Sequence, residues 1–330
     1  MKKIAVLGAG AWGTALAIQL SQRHQVSLWL RNTSRAAEMR QAGCNQQYLG
    51  DFSFNQNLSV EHDLAIALSD VDLIISVVPS VGFRQMLREI KQIGCQAPLV
   101  WASKGLEPET AKLPYEVAQE ELGDEHLWGV LSGPSFAIEL ARGLPTAVTI
   151  ASASEKLATE AGVLVHGGNL RVYTSYDVIG VSVGGAIKNV MAIAAGISDG
   201  MGFGSNARAA LITRGLAEMT RFGVALGGNK ETFMGLTGAG DLILTCTGEY
   251  SRNREVGLRL ARGQTLPQIL QELGHVAEGV HTASEVFKRA TEMGVDMPIT
   301  CEVNQVLSHG QSPRVAVENL LGREQKHESL

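Results

Sequence analysis

Residues 3–20 read KIAVLGAGAWGTALAIQL, and the fold turns on this stretch. Five residues of strand character, KIAVL, run into Gly8-Ala9-Gly10-Ala11-Trp12-Gly13, and an apolar helical pattern follows. A lone GxGxxG is a weak signal, but between a strand and a helix it is the setting of a dinucleotide-binding turn. Gly8 allows the tight turn, Gly10 lets the backbone approach a pyrophosphate, and Gly13 lets the helix pack on the strand. The helix N-terminus then offers free N–H groups and a partial positive charge to the phosphates. A secretory leader would also show Lys2, Lys3, an apolar run and Ala15-Leu16-Ala17. Three glycines are poor for the helical core of such a leader, whereas the dinucleotide reading uses each of them.

The end of the second strand tests cofactor preference. A site preferring NAD(H) carries Asp or Glu there for the ribose 2′-hydroxyl. This chain has Leu28-Trp29-Leu30-Arg31-Asn32, with no acid and with an arginine that suits a 2′-phosphate. NADP(H), or use of both NADP(H) and NAD(H), is the expectation.

Outward from this turn, strand-like runs at 3–7, 26–30, 72–78, 99–102, 128–131 and 147–151 alternate with amphipathic stretches such as 12–22, 83–93 and 110–122. That alternation predicts an α/β fold, a Rossmann-type, parallel, doubly wound sheet over residues 1–177. LIISVV at 73–78 is a continuous apolar run, as when both faces of a sheet are covered. Beyond 177 the strand signals stop. Helical patterns at 183–198, 206–222, 252–262, 265–273, 279–293, 298–308 and 313–321 predict an all-α second domain over 178–330. Pro267, Pro298 and Pro313 fall near helix starts, where proline is tolerated.

Composition narrows the function classes. The 330 residues carry a net charge of −5 and no long basic run, which argues against a nucleic-acid partner. Cys44, Cys95, Cys246 and Cys301 lie far apart, with no CxxC pair, and the eight histidines form no HExxH, so no metal site is expected. No apolar run of membrane length is free of glycine or polar interruption. A reducing, cytoplasmic setting fits these features.

In GAIKNVMAIAAGISDG, residues 185–200, one lysine stands in an apolar helical pattern. Positions 192, 195, 196 and 199 share its face. They are Ala192, Ala195, Gly196 and Asp199, with Gly184 and Gly185 one turn before, so the stripe leaves room for a ligand beside Lys188. Close helix packing also favours small residues but does not explain a lysine. A partly buried lysine whose pKa falls toward neutrality serves as general acid or base. Lys104, in WASKGL directly after a strand, lies where substrate, cofactor or both bind. Ser132-Gly133-Pro134-Ser135 follows another strand and can present N–H groups and a hydroxyl. Asp241 and Thr245 share a helical face, and Asp241 can pair with Lys188. Ser251-Arg252-Asn253-Arg254 combines N-cap chemistry with arginines, which suits a phosphate monoester.

Seven stretches together resemble the bacterial NAD(P)-dependent sn-glycerol-3-phosphate dehydrogenases. They are GAGAWGTALA (8–17), WASKGLE (101–107), SGPSFAIELARGLPTA (132–147), GGAIKNVMAIAAGISDG (184–200), NARAALITRG (206–215), GLTGAGDLILTCT (235–247) and SRNREVG (251–257). The resemblance covers essentially the whole chain. It implies reversible reduction of dihydroxyacetone phosphate to sn-glycerol 3-phosphate, feeding phospholipid synthesis, with Lys188 exchanging the proton. It implies substrate positions at Lys104, Gly133, Ser135, Lys188, Asp241, Ser251, Arg252 and Asn253. It implies cofactor positions at Gly8, Gly10, Ala11, Trp12, Gly13, Arg31, Tyr48, Lys104, Ala137, Arg252, Val276 and Glu278, with Asn189 and Thr245 in support. Ser135 stands where the family often has threonine, and Ala11 where it often has serine. The resemblance leaves room for a homodimer. Hydroxyacid and 6-phosphogluconate-type dehydrogenases also join a Rossmann domain to a helical one. They carry asparagine one turn after the lysine, where this chain has Ala192.

Overall fold

The structure, a computed structural model, describes residues 1–273 and 277–325. It divides into two compact units, Met1–Ser103 with Tyr115–Val178, and Lys104–Pro114 with the described residues from Ile179 onward.

The first unit holds one sheet of eight strands among the described residues. They are β1 (Lys3–Leu7), β2 (Gln25–Trp29), β3 (Leu58–Glu61), β4 (Leu73–Ser76), β5 (Leu99–Trp101), β6 (Trp128–Ser132), β7 (Thr146–Ala151) and β8 (Leu170–Ser175), in the order 3-2-1-4-5-6-7-8. β1 pairs in parallel with β2 and β4, so Val6 stands opposite Leu28 on one side and Ile75 on the other. Every residue of β4 is buried, as its unbroken apolar run predicts. Helices Ala11–Ser21 and Glu155–Val165 contribute Leu16, Leu20, Leu157 and Val165 to the core that Ile4, Val6, Leu28 and Ile75 share.

The structure departs from the expected sheet in two ways. β3 and β8 are additional; each has few fully buried residues, so neither carries an apolar run. The sheet is also not parallel throughout. β7 runs antiparallel to β6, and β8 follows β7 in parallel. Residues 133–145 contain only the short helix Ala137–Ala141. Five helical residues rise about 7.5 Å, too little to carry the chain back along a strand of roughly 17 Å. The chain therefore re-enters the sheet from the end at which it left.

The helix expected at 110–122 begins only at Pro114. Before it, Glu109 and Ala111 take φ of 70° and 54°, and Thr110 Oγ1 donates to Glu107 at 2.6 Å. These residues form a turn that no continuous helix can include.

The second unit is helical, with no strand among its described residues. Its centre is the helix Val178–Gly200, which by length and composition alone could cross a membrane, although glycines and polar residues interrupt it. Of its most apolar window, 94% is buried within the fold. Three glycines let it pack this closely. A Cβ on Gly184 would overlap the Thr237 carbonyl oxygen, one on Gly196 the Arg254 carbonyl oxygen, and one on the facing Gly257 the Ile193 carbonyl oxygen. This corrects the expectation of ligand room along the small-residue stripe. Ala192 and Ala195 are fully buried, and Gly196 lies against the helix Arg252–Ala261. The bare face serves backbone-to-backbone packing.

A contrast between two helical glycines checks this account. Gly257→Ala forces a Cβ into backbone and should lower unfolding free energy by about 1–3 kcal/mol, as overpacking does. Gly82, in the helix Ser80–Ile93, faces open space. Gly82→Ala should raise stability by about 0.5 kcal/mol through reduced backbone entropy. Calorimetric midpoints of the two variants should move in opposite directions.

Candidate active site

Asp241 opens the helix Asp241–Thr247, directly after a π-turn at Leu236–Gly240. Its carboxylate is 1% exposed and accepts two ammonium hydrogens. Lys188 Nζ donates to Oδ1 at 2.5 Å, and Lys104 Nζ donates to Oδ2 at 2.8 Å. Lys188 also donates to Thr245 Oγ1 at 3.1 Å, whose own hydrogen goes to the Asp241 carbonyl at 2.6 Å. Asp241 and Thr245 thus share one helical turn and grip the same amine, as their spacing predicts.

The electrostatics follow from burial and charge count. Burial pulls the Lys188 pKa down to about 8, against the attraction of Asp241 and with the repulsion of Lys104 assisting. Burial alone would raise the Asp241 pKa, but the two ammonium groups outweigh it and hold the carboxyl below its usual range. Glu278, half-buried at the start of the helix Glu278–Glu292, is pushed up by burial, with Lys104, Arg252 and Lys188 opposing. Two of the three hydrogens on the Lys188 ammonium have partners among the described residues, which leaves one to donate elsewhere.

One turn of another helix supplies the predicted anion-binding residues. Ser251 is the N-cap of Arg252–Ala261, and its hydroxyl accepts from Arg254 N at 3.3 Å. Asp199 takes up both Arg254 (2.8 Å) and Arg208 (2.7 Å). Arg252 is exposed and, among the described residues, has no carboxylate at ion-pair distance. Asn253, expected at the substrate, uses its side chain between helices. Its Nδ2 donates to Asn189 Oδ1 at 3.0 Å, and its Oδ1 accepts from Gly279 N at 3.0 Å. It ties three helices together beside Lys188 and Glu278.

The first unit brings together the other predicted positions. Gly8 takes φ of 121° and donates its N–H to the Trp29 carbonyl at 2.9 Å, seating the turn on the end of β2. A Cβ on Gly13 would overlap the Gly8 carbonyl oxygen, whereas Gly10 faces open space. Gly10 is the N-cap of Ala11–Ser21 and no side chain caps that helix, so its first N–H groups are available to an anion. The donor set and the open cradle at Gly10 fit a dinucleotide pyrophosphate. Trp12 Nε1 donates to Ser135 Oγ at 3.1 Å, and Ser135 Oγ to the Gly133 carbonyl at 3.1 Å. Gly133 has φ of 135°. Ala137 packs with Trp12 on the core. Arg31 is exposed and reaches Glu89 Oε1 at 3.1 Å. Tyr48, half-buried, lies under the Arg35 guanidinium. Val276 lies outside the described residues.

Comparison with known proteins shows the family. Residues 3–158 match the family described as NAD-dependent glycerol-3-phosphate dehydrogenase N-terminus, and residues 177–318 the corresponding C-terminus. This chain belongs to the NAD-dependent glycerol-3-phosphate dehydrogenase family. It is 73% identical over 328 residues to the glycerol-3-phosphate dehydrogenase [NAD(P)+] of Methylobacillus flagellatus, covering 99% of this chain and 100% of that one. With the namesake protein of Nitrosospira multiformis it shares 54% identity over 330 residues, 99% of each. The crystal structure of glycerol-3-phosphate dehydrogenase from Coxiella burnetii superposes with a TM-score of 0.94 at 42% identity, covering 98% of this chain and 99% of that one.

Sequence reasoning missed one residue of this glycerol-3-phosphate dehydrogenase family member. Asn45 is buried and donates through Nδ2 to the Ala9 carbonyl at 3.0 Å and to Thr14 Oγ1 at 2.8 Å. It clamps the glycine turn from outside. Nothing in the local pattern of CNQQYL marks it, because its partners lie more than 30 residues away.

The amide bridge makes a testable stability claim. Asn253→Ala leaves Asn189 Oδ1 and Gly279 N without their partner, and each buried unpaired group costs about 1–3 kcal/mol. Denaturant unfolding should register a loss of at least about 2 kcal/mol.

Proposed function

We propose that this chain catalyses the reversible, NAD(P)H-dependent reduction of dihydroxyacetone phosphate to sn-glycerol 3-phosphate, with Lys188 as the proton-exchanging residue. The observation that carries this reading is the buried Lys188–Asp241–Lys104 cluster in a member of this family. The Gly8–Gly13 turn would hold the cofactor's pyrophosphate. When bound, the reduced nicotinamide supplies a hydride to the substrate carbonyl carbon.

The chain's own residues account for the rest. Hydride addition leaves negative charge on the carbonyl oxygen, and an ammonium aimed at that oxygen both stabilises the charge and donates a proton. Lys188 meets the requirement because Asp241 and Thr245 fix its direction while leaving one N–H without a partner among the described residues. Its pKa of about 8 keeps it protonated near neutrality yet able to release the proton. Asp241 against two lysines leaves the cluster at net +1 (two positive, one negative), favourable to an anionic substrate. Arg252, at the N-terminus of its helix and with no carboxylate at ion-pair distance among the described residues, offers a guanidinium for a phosphate. The same reading places the enzyme in the cytoplasm, supplying glycerophospholipid synthesis; the four cysteines, all unpaired, fit a reducing compartment.

Lys188→Ala should lower turnover on the order of 10²- to 10⁴-fold, the usual contribution of a general acid. NADPH binding by calorimetry should persist. Normal turnover in this variant would overturn the role. The pH profile has a defined sign. Reduction uses protonated Lys188, so its rate should fall as pH rises through about 8; oxidation uses the neutral amine and should rise there. Asp241 holds the proton on Lys188, so Asp241→Asn should move that midpoint downward. Unphosphorylated dihydroxyacetone should be a far poorer substrate than its phosphate, because remote binding is used to orient the reacting carbon. Equal kcat/KM for the two would remove the phosphate anchor from the proposal.

A further inference from the structure

With no acid at the end of β2, the question is which side chain meets the adenosine ribose. Arg31 was the sequence candidate, but its side chain is 68% exposed and already turned to Glu89 Oε1 at 3.1 Å, while Glu89 also accepts from Gln85. Arg35, one turn into the helix Thr33–Ala42, is in a different state. Its backbone N–H is fixed by Asn32 Oδ1 at 2.9 Å, so the helix start is set directly after β2. Its guanidinium lies 4.6 Å over the ring centroid of Tyr48. Among the described residues that guanidinium makes no hydrogen bond and no ion pair, and its Nη2 is buried without a partner.

A stacked arginine with an idle fork of donors is pre-oriented for a planar or tetrahedral anion. Its place in the fold identifies which anion. Tyr48 lies in the short helix Gln46–Leu49, whose N-cap Asn45 is hydrogen-bonded to the Ala9 carbonyl and to Thr14. Arg35 and Tyr48 are thereby tied to the glycine turn on one side and to the end of β2 on the other. In this fold that corner receives the 2′ position of the adenosine ribose.

We propose that Arg35, stacked on Tyr48, is the residue that reads the 2′-phosphate and so distinguishes NADP(H) from NAD(H). Arg31 contributes general positive charge and is secondary. The proposal rests on the dinucleotide reading of the glycine turn and is independent of the role given to Lys188.

Calorimetric binding of NADPH and of NADH to the full chain tests it, with wild type, Arg35→Ala, Arg35→Lys and Arg31→Ala. Arg35→Ala should weaken NADPH on the order of tenfold or more, the value of a lost charged hydrogen bond, and change NADH less than twofold. NADH binding in the same variant reports that the site is still folded. Arg35→Lys keeps the charge without the fork and should fall between wild type and alanine. An unchanged ratio of the two affinities in Arg35→Ala overturns the proposal. So does loss of discrimination in Arg31→Ala with none in Arg35→Ala. Wild-type protein that binds neither dinucleotide overturns the glycine-turn reading, and Arg35's role with it.

Discussion

Asp241 accepts from Lys188 and Lys104 at once, through separate carboxylate oxygens, with almost no exposure to water. Two ammonium groups at this spacing would repel strongly in a low-dielectric interior. The carboxylate removes that repulsion and sets the direction of both amines. Its own burial is tolerated because both oxygens are paired with charged donors. The result is a cluster with one positive charge in excess and a lysine whose proton is weakly held. Changing the length of any of the three side chains would disturb the other two.

Backbone packing is what places Asp241 there. The segment before it approaches the Lys188 helix through Gly184, which has no side chain to keep the Thr237 carbonyl away. Gly238 repeats the device against Phe233. About three turns further along, Gly196 and the facing Gly257 let the helix bearing Arg252 press onto the same helix. Small residues beside Lys188 therefore act at one remove. They create no cavity; they bring the partners of the lysine within hydrogen-bond range.

This division explains how much of the molecule could be read from sequence. The glycine turn was legible because its three glycines have local reasons, and the structure shows Gly8 in a left-handed conformation and Gly13 against Gly8. Six strands were legible as apolar runs. β3 and β8 were not, because a four-residue strand and a largely exposed one leave little apolar signal. Lys188 stood out as a charge in an apolar helix. Asp241 and Thr245 were legible as a pair four residues apart. The Asn45 clamp and the Asn189–Asn253–Gly279 bridge were invisible, since each joins residues distant in sequence through a common polar side chain. Arg31 was legible by its position at the end of β2, but its pairing with Glu89 was not, since that residue lies on a later helix.

Both units therefore solve the same problem in the same way. Close approach comes from glycine, which contributes no group able to fix an angle. Orientation comes from a buried amide, which can both donate and accept and carries no charge to desolvate. Asn45 does this for the glycine turn and Asn253 for the helices around Lys188. A carboxylate at either position would add an unpaired charge beside groups meant for anions. An aliphatic residue would leave the Ala9 carbonyl or the Gly279 N–H without that partner. Amides hold both frameworks without altering the local charge, so the potential around the turn and around Lys188 is left to the helix ends and the charged side chains.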